Sequence, residues 1–584
     1  MTRGIDPEST LTKPNQSVSL ALAGSGGAGV MTAGNMLLEA AAQAGYYSLM
    51  TRSSGPQIRG GEAAAMIRIS TVPRESVDDR YQILAAVDWS NVARFAAELP
   101  LDSSSLVIGD PAQGEVPEVF LKTGSRSVPV PLKAIAKEIK GGWPNMVALG
   151  LLGGLLGLPQ EAMRAAVEKS MKKGGEALAA SLAAVHAGMS EAAKLATGFP
   201  LAPPRARSAR WLITGNQAAG FGAIRGGVRF VAAYPITPAT ELLEWMAPAL
   251  TKVGGTLVQA EDELASINMI LGASYGGVPS LTATSGPGLS LMIEALGLGI
   301  AAEIPVVVVD VMRTGPSTGI ATKTEQADLN IAMYGMHGDA PHLVLAPNSV
   351  ADCLRTTQWA THLAEQLQVP AIVLSDQFFG QARAVVERPA DLSFVGERRR
   401  AEANAAGYKR YALTPSGVSP MAIPGTPGIA YTADGLEHGE RGTPSSAAAD
   451  HLAQLDKRAQ KLHSIDYGEH WADVEGEGEL AVITWGSCTG AVREAFTRAR
   501  DDGVTGRLVS LRLLSPPQPE KLRLALKGVR RALVVEQSHG GQFLHYLRSE
   551  YDGLACELSS FRKPGPLPVR PEEIHSKILQ WSRA

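Results

Sequence analysis

Short apolar runs alternate with helical apolar periodicities along most of the chain. Val18 to Ala23 is apolar and ends in glycines, and the Ala/Met/Leu pattern behind it keeps a helical period through Ala44. That pattern predicts a strand, a tight loop and a helix, the opening of a Rossmann-type unit. Ala64 to Ile69, Ile83 to Val87 and Leu106 to Ile108 predict further strands, and the Ala-rich stretch from about 160 to 195 predicts helix. The proline-rich run Gly198 to Arg207 reads as a linker and places a boundary near residue 200.

A second alternation starts near Gly215. Strands are expected at Phe230–Tyr234, Thr256–Ala260, Ser280–Thr284 and Val306–Val311, with helices at Gln217–Gly226, Ala239–Leu250, Asp262–Tyr275 and after Gly288. Strands alternating with helices imply a mostly parallel, doubly wound sheet, whose ligands sit outside the carboxyl ends of the strands. The loops at 234–238, 260–263, 284–288 and 311–322 all fall at such ends. Residues 391–478 are loop-rich, with prolines at 415, 420, 424, 427 and 444. A third α/β unit is expected from Glu479, with strands at Leu480–Trp485, Arg507–Leu514 and Ala532–Glu536. The fold class is therefore α/β with three α/β domains, at 18–200, 210–390 and 479–584, the last two joined by the 391–478 connector.

Composition narrows the function. The chain has 584 residues, 45% hydrophobic and 19% charged, with a net charge of −3. That balance argues against a nucleic-acid surface, which needs clustered Lys and Arg; the run Arg398-Arg399-Arg400 reads as a solvated face. Three distant cysteines, Cys353, Cys488 and Cys556, exclude a disulfide framework and a C-x-x-C metal or cluster site, and fit a reducing cytoplasm. The first 17 residues are polar and carry no secretory pattern. Apolar stretches are too short or too interrupted to span a bilayer.

The motifs admit both structural and functional readings. Gly24-Ser-Gly-Gly-Ala-Gly29 matches G-x-G-x-x-G between a strand and a helix, where backbone N–H groups approach phosphate. No acid follows at the ribose position, so NAD is disfavoured; a tight packing turn is the alternative. Gly26, Gly27 and Gly29, with Arg52 and Arg59 from a glycine-rich loop, are the candidates for a phosphate-bearing ligand. Tyr234-Pro235-Ile236-Thr237-Pro238 is stiffened by two prolines. Glu261-Asp262-Glu263 opens a helix, where acids also simply favour the dipole. Ser285-Gly286-Pro-Gly offers backbone donors, and Arg313 at a strand end suits a carboxylate. Glu437-His438-Gly-Glu440 matches no metal-ligand spacing and reads as a solvated loop, and His337-Gly-Asp339 as a loop. No metal site is expected.

Taken in order, Tyr234-Pro-Ile-Thr-Pro238, Glu261-Asp-Glu263, Thr284-Ser-Gly-Pro-Gly288 and Arg313-Thr-Gly-Pro-Ser-Thr-Gly319 through Thr322 and Asp328 resemble the alpha subunit of 2-oxoacid:ferredoxin oxidoreductases. The likeness continues in Gly417-Val-Ser-Pro420, Glu437-His-Gly-Glu440 and Trp485-Gly-Ser487. The first 200 residues resemble the gamma subunit of the same enzymes, through Gly24 to Gly29 and Ser54-Gly-Pro-Gln-Ile-Arg-Gly-Gly61. The resemblance implies a gamma-like domain, a thiamine-diphosphate pyrimidine-binding-like domain and a transketolase-C-terminal-like domain. It implies 2-oxoglutarate plus CoA interconverting with succinyl-CoA plus CO2, with electrons exchanged with ferredoxin. The same chemistry on a branched-chain 2-oxoacid or pyruvate, and a non-catalytic scaffold subunit, are the alternatives.

The diphosphate–Mg²⁺ motif and a cysteine cluster are missing from the sequence. The resemblance therefore implies a separate beta subunit carrying the diphosphate site and a [4Fe-4S] cluster, in an (αβ)2 assembly without nucleic acid or membrane. Glu263 matches the family's glutamate that hydrogen-bonds the aminopyrimidine ring nitrogen, with Glu261 as second choice. Arg313 is implied to bind the substrate carboxylate, with Thr237 and Thr322 donating to it. Tyr234, Pro235, Ile236, Ser285 and Gly286 are implied to flank the cofactor, and the N-terminal domain to help hold CoA.

Overall fold

The computed structural model describes residues 14–55, 61–171, 174–195, 197–204 and 209–583. The chain folds as two compact units, one of residues up to Ile213 together with Ala382–Arg388, the other of the remainder. The first is built on an eight-stranded sheet. From one edge its strands are Arg126–Pro129, Leu106–Gly109, Ile83–Ala86, Ser17–Ser25, Glu62–Ser70, Tyr47–Ser54, Arg383–Glu387 and Arg210–Thr214. The opening strand–loop–helix lies where the apolar period puts it: Ser17–Ser25 leads through the glycine turn to helix Val30–Gln43.

Three domain expectations are corrected by strand pairing. Arg383–Glu387, placed by sequence in the second domain, pairs antiparallel with Tyr47–Ser54 (Arg383 opposite Met50) and completes the first unit's sheet. Leu513–Ser515, expected in the third domain, pairs antiparallel with Leu343–Leu345 and extends the second sheet. Ala472–Gly476, expected in the connector, pairs antiparallel with Arg507–Leu511 and edges the third sheet. Its acidic, half-exposed sequence carries little apolar signal because only one face meets the core.

The second unit holds two sheets. One runs Leu513–Ser515, Leu343–Leu345, Ala371–Asp376, Val307–Met312, Ser280–Thr284, Phe230–Ala233, Thr256–Gln259. The other runs Ala472–Gly476, Arg507–Leu511, Leu480–Trp485, Arg531–Glu536, Glu557–Arg562. Strands such as Val307–Met312 are buried along their whole length, as parallel strands covered on both faces are. The parallel registers of Phe230–Ala233, Thr256–Gln259, Ser280–Thr284, Val307–Met312 and Ala371–Asp376 bring their carboxyl ends to one edge.

The 391–478 stretch is ordered by ion pairs and includes helix Ala448–His463. Arg398, expected to be solvated, is buried and grips Glu365 with two hydrogen bonds of 2.9 and 2.8 Å. Lys457, Lys461 and Arg410 converge on the buried carboxylate of Glu303. Together those cations hold its pKa down to about 2, despite burial that would raise it. Glu437 and His438 are likewise structural rather than a solvated loop. Glu437 pairs with Arg458 (2.8 Å) and His451 (2.6 Å), and the His438 ring packs tilted against Tyr411 with ring centres 3.9 Å apart. Among the described residues no helix is long and apolar enough to cross a membrane.

Candidate active site

The second unit's loops converge as the parallel topology requires. Asp262 caps helix Glu263–Tyr275, its carboxylate accepting the Ala265 N–H at 2.6 Å. Glu261 and Asp262 are exposed, whereas Glu263, one residue on, turns into the protein and is 7% exposed. This separates the two candidate glutamates: only Glu263 reaches the interior. Its side chain lies over Gly288, where a Cβ would sit 2.7 Å from Glu263 Cγ, 2.8 Å from its Oε1 and 2.1 Å from Thr284 Oγ1. Gly288 is thus the floor on which the acid rests. Among the described residues no protein hydrogen bond to the Glu263 carboxylate is found.

The neighbouring loop is equally tight. Ser285 is fully buried with its hydroxyl unpartnered. A Cβ at Gly286 would meet the Asp328 carboxylate at 2.6 and 2.7 Å. Arg313, at the end of the apolar strand, is 7% exposed and donates from Nη1 to the Thr237 carbonyl at 2.7 Å. Thr237 therefore meets Arg313 through its backbone, and its residue is exposed; Tyr234 is 40% exposed, while Pro235, Ile236 and Thr322 are half-buried. After Arg313 the chain doubles back, with the Thr314 N–H on the Lys323 carbonyl at 3.0 Å. At Gly319 φ is +53°, and a Cβ would fall 1.6 Å from the Thr314 carbonyl oxygen, so only glycine closes this turn.

Arg313, Gly286 and Asp328 open onto a cavity of about 470 Å³, whose opposite wall is formed by Ser538, His539 and Gln542 of the C-terminal sheet's loop. Gln326 joins the two walls, donating to the Trp485 carbonyl and accepting the Gln537 N–H, each at 2.8 Å. His337 and Asp339 are exposed.

Sequence reasoning passed over the acids of this edge. Asp310 sits inside Val307–Met312 and is fully buried. Burial and the adjoining Asp328 push its carboxyl well up; burial pushes Asp328 to about 6 and Asp376 to about 6. Burial also lowers the Arg313 guanidinium, against the pull of Asp328 and Asp310. The signal was legible: an acid within an otherwise apolar buried strand is rare without a partner.

In the first unit the glycine loop is partly spoken for. The Ser25 N–H and hydroxyl donate to the Asp88 carboxylate (3.0 and 2.8 Å), and the Gly26 N–H donates to the Gly61 carbonyl. The amide expected of Gly26 is thus engaged, and a carboxylate occupies the turn where a phosphate was expected. Gly27 and Gly29 line a cavity of about 510 Å³ that also takes in Asp88, Lys133, Trp143 and Asn145. Arg52 lies in strand Tyr47–Ser54, opposite Ala65, rather than in a loop. Arg59 lies outside the described residues.

Comparison with known proteins agrees with this layout. Residues 221–457 match the pyruvate flavodoxin/ferredoxin oxidoreductase thiamine-diphosphate-binding family, and residues 19–191 the pyruvate ferredoxin/flavodoxin oxidoreductase family. The 2-oxoacid:ferredoxin oxidoreductase alpha subunit of Saccharolobus solfataricus is 30% identical, over 90% of this chain and 92% of its own. The 2-oxoglutarate oxidoreductase subunit KorA of Mycobacterium tuberculosis is 31% identical, over 92% and 87%. A solved 2-oxoglutarate:ferredoxin oxidoreductase from Magnetococcus marinus, with 2-oxoglutarate, coenzyme A and succinyl-CoA bound, superposes with a TM-score of 0.90. It is 36% identical, over 97% of this chain and 99% of that one. With two family domains in order and relatives matched over nearly their whole length, the chain belongs to the 2-oxoacid:ferredoxin oxidoreductase family, as an alpha subunit with a fused N-terminal domain.

Proposed function

We propose that this chain is the alpha subunit of a 2-oxoglutarate:ferredoxin oxidoreductase, interconverting 2-oxoglutarate plus CoA with succinyl-CoA plus CO2. The likeness to the Magnetococcus marinus enzyme over almost the full length of both chains carries the reading, because that enzyme holds the substrate and both coenzyme A species. The donor set at this sheet edge fits thiamine diphosphate, with Glu263 outside the residues that line the Arg313 cavity. Glu263 is a buried acid on a floor kept clear of a Cβ, and its carboxylate is free to meet a ring nitrogen.

Thiamine diphosphate, when bound, supplies the nucleophilic carbon and electron sink on which a 2-oxoacid loses CO2. Glu263 would hold the proton at the pyrimidine ring nitrogen, in a pocket dry enough for that hydrogen bond to count. Arg313, anchored by the Thr237 carbonyl, would orient the substrate carboxylate, assisted by the Thr237 and Thr322 hydroxyls. Tyr234, Pro235, Ile236, Ser285 and Gly286 would enclose the ring. The Gly27–Gly29 cavity, with Lys133, would take part of CoA.

A beta subunit completes the enzyme. Three cysteines in the chain cannot furnish the four thiolates of a [4Fe-4S] cluster, so the cluster and the diphosphate–Mg²⁺ anchor are assigned to that partner, within (αβ)2. Leu264 and Met269 on helix Glu263–Tyr275 and Leu291 on helix Gly286–Ala301 are 51, 42 and 49% exposed. Exposed apolar side chains on these two helices suit such a partner.

The reading is tested by co-expressing the two subunits and following ferredoxin reduction with a panel of 2-oxoacids. Glu263→Ala is expected to assemble and bind cofactor yet lose at least about 100-fold in turnover. Near wild-type turnover would remove Glu263 from the chemistry. Preference for pyruvate or a branched-chain acid would replace the substrate.

A further inference from the structure

Two acids beside Arg313 have no part in these assignments: Asp310 is fully buried, and Asp328 is half-buried with its Oδ2 sealed from solvent. Neither oxygen of Asp310 has a hydrogen-bond donor among the described residues, and the same holds for Asp328 Oδ2. The two carboxyls are near neighbours, each close enough to shift the other's proton affinity. Ionised carboxylates only accept, so two of them adjoining in a dry place are satisfied only when one carries a proton and donates it. Arg313 is the cation beside them, and Glu325, which accepts the Gly565 N–H at 3.2 Å, is the next acid. The Asp328 carboxylate lies against Gly286, where a Cβ would fall 2.6 Å from it. Asp328 and Arg313 both line the 470 Å³ cavity, whereas Asp310 lies in the strand behind it.

We propose that Asp310 and Asp328 are positioning residues that share a proton behind Arg313, and that a 2-oxoacid carboxylate docking on Arg313 is coupled to uptake of one proton by this pair. The inference rests on the reading of Arg313 as the carboxylate binder. With the cavity empty, Asp328 shares the Arg313 charge while Asp310 keeps its proton. A substrate carboxylate takes over the guanidinium and adds a second anion nearby. Asp328 then binds a proton from solvent, and no other bond forms or breaks. Burial raises the Asp328 carboxyl above the ordinary carboxylate range, so neutral solution is the window in which the uptake is read.

The test is the pH dependence of KM for 2-oxoglutarate in the assembled enzyme. Full coupling raises KM about tenfold per pH unit above the Asp328 transition, while kcat follows far less. Asp328→Asn is expected to flatten that slope. His539→Gln, which removes the imidazole on the opposite wall, is expected to keep it. Infrared difference spectra of the chain between wild type and Asp310→Asn supply a readout independent of turnover: the wild type should show a protonated carboxyl band at about pH 8 that the variant lacks. A flat wild-type KM, a slope that survives Asp328→Asn, or the absence of that band overturns the proposal. If the wild type turns over no 2-oxoacid, the functional reading fails, and the infrared band alone decides whether the pair holds its proton.

Discussion

Gly288→Ala is the sharpest probe of the Glu263 floor. Added to this backbone, a methyl lies 2.8 Å from Glu263 Oε1 and 2.1 Å from Thr284 Oγ1. Ordinary contact begins near about 3.5 Å, so the acid must retreat by roughly 0.7 Å and the hydroxyl by roughly 1.4 Å. Helix propensity favours alanine by about 1 kcal/mol, and overpacking opposes it by about 1–3 kcal/mol, so the fold should lose no more than about 2 kcal/mol. Activity has no such cushion, since a displacement of about 1 Å at a reacting centre costs on the order of 100-fold, or about 2.7 kcal/mol of barrier. Gly297→Ala is the control: it lies on the same helix, and its new methyl would come no nearer than 3.9 Å to His337. The assay pairs 2-oxoglutarate-dependent ferredoxin reduction with a melting curve of each assembled variant. Gly288→Ala should keep its melting transition and lose activity, while Gly297→Ala keeps both. If Gly288→Ala turned over normally, Glu263 would not need its present position, and the geometric argument for its role would fail.

Other outcomes can be checked independently. Glu303→Gln leaves Lys457, Lys461 and Arg410 buried without their counter-charge and should destabilise the fold by about 3–5 kcal/mol, read as a lower unfolding midpoint in urea. The same cluster predicts a pH trend. Glu303, held near 2, contributes stability that is present above its usual 4.5 and lost as pH falls toward 2. Burial depresses Lys461 to about 7, so the unfolded chain binds a proton the folded one lacks between about 7 and 10.5. Stability from Lys461 therefore rises with pH across that window, and Lys461→Met should flatten the rise in melting-temperature scans. Gly319→Ala, barred by the Thr314 carbonyl at 1.6 Å, forces the turn after Arg313 to rearrange and should raise KM for the 2-oxoacid. Leu264→Asp should leave the isolated chain folded and abolish co-purification of the partner subunit.

Legibility in the sequence followed the physics of each element. The parallel sheet and its four ligand loops were readable because strands buried on both faces give unbroken apolar runs, and the loops after them carry Gly, Pro and acids. Glu263 was readable, but only the fold separates it from Glu261: Glu261 precedes the extended cap Asp262 and stays in water, while Glu263 opens the helix and turns inward. Residues 383–387 fall within the 210–390 domain by sequence because pairing partner and sequence neighbourhood are unrelated when a strand returns from far along the chain. Arg398 read as surface because its partner, Glu365, is 33 residues away. Asp310 was in plain view, but a lone acid in a valine run has no meaning until its neighbour, Asp328, is known.

The returning strand Arg383–Glu387 bears on how the protein is made. The N-terminal sheet needs a segment that leaves the ribosome roughly 170 residues after Ile213. At about 5–20 residues per second, that wait is about ten to thirty seconds, during which the flank of Tyr47–Ser54 has no neighbour. A nascent chain stalled, nicked or truncated in that interval would offer a bare β-edge to other chains, making the interval a time when chaperones matter most.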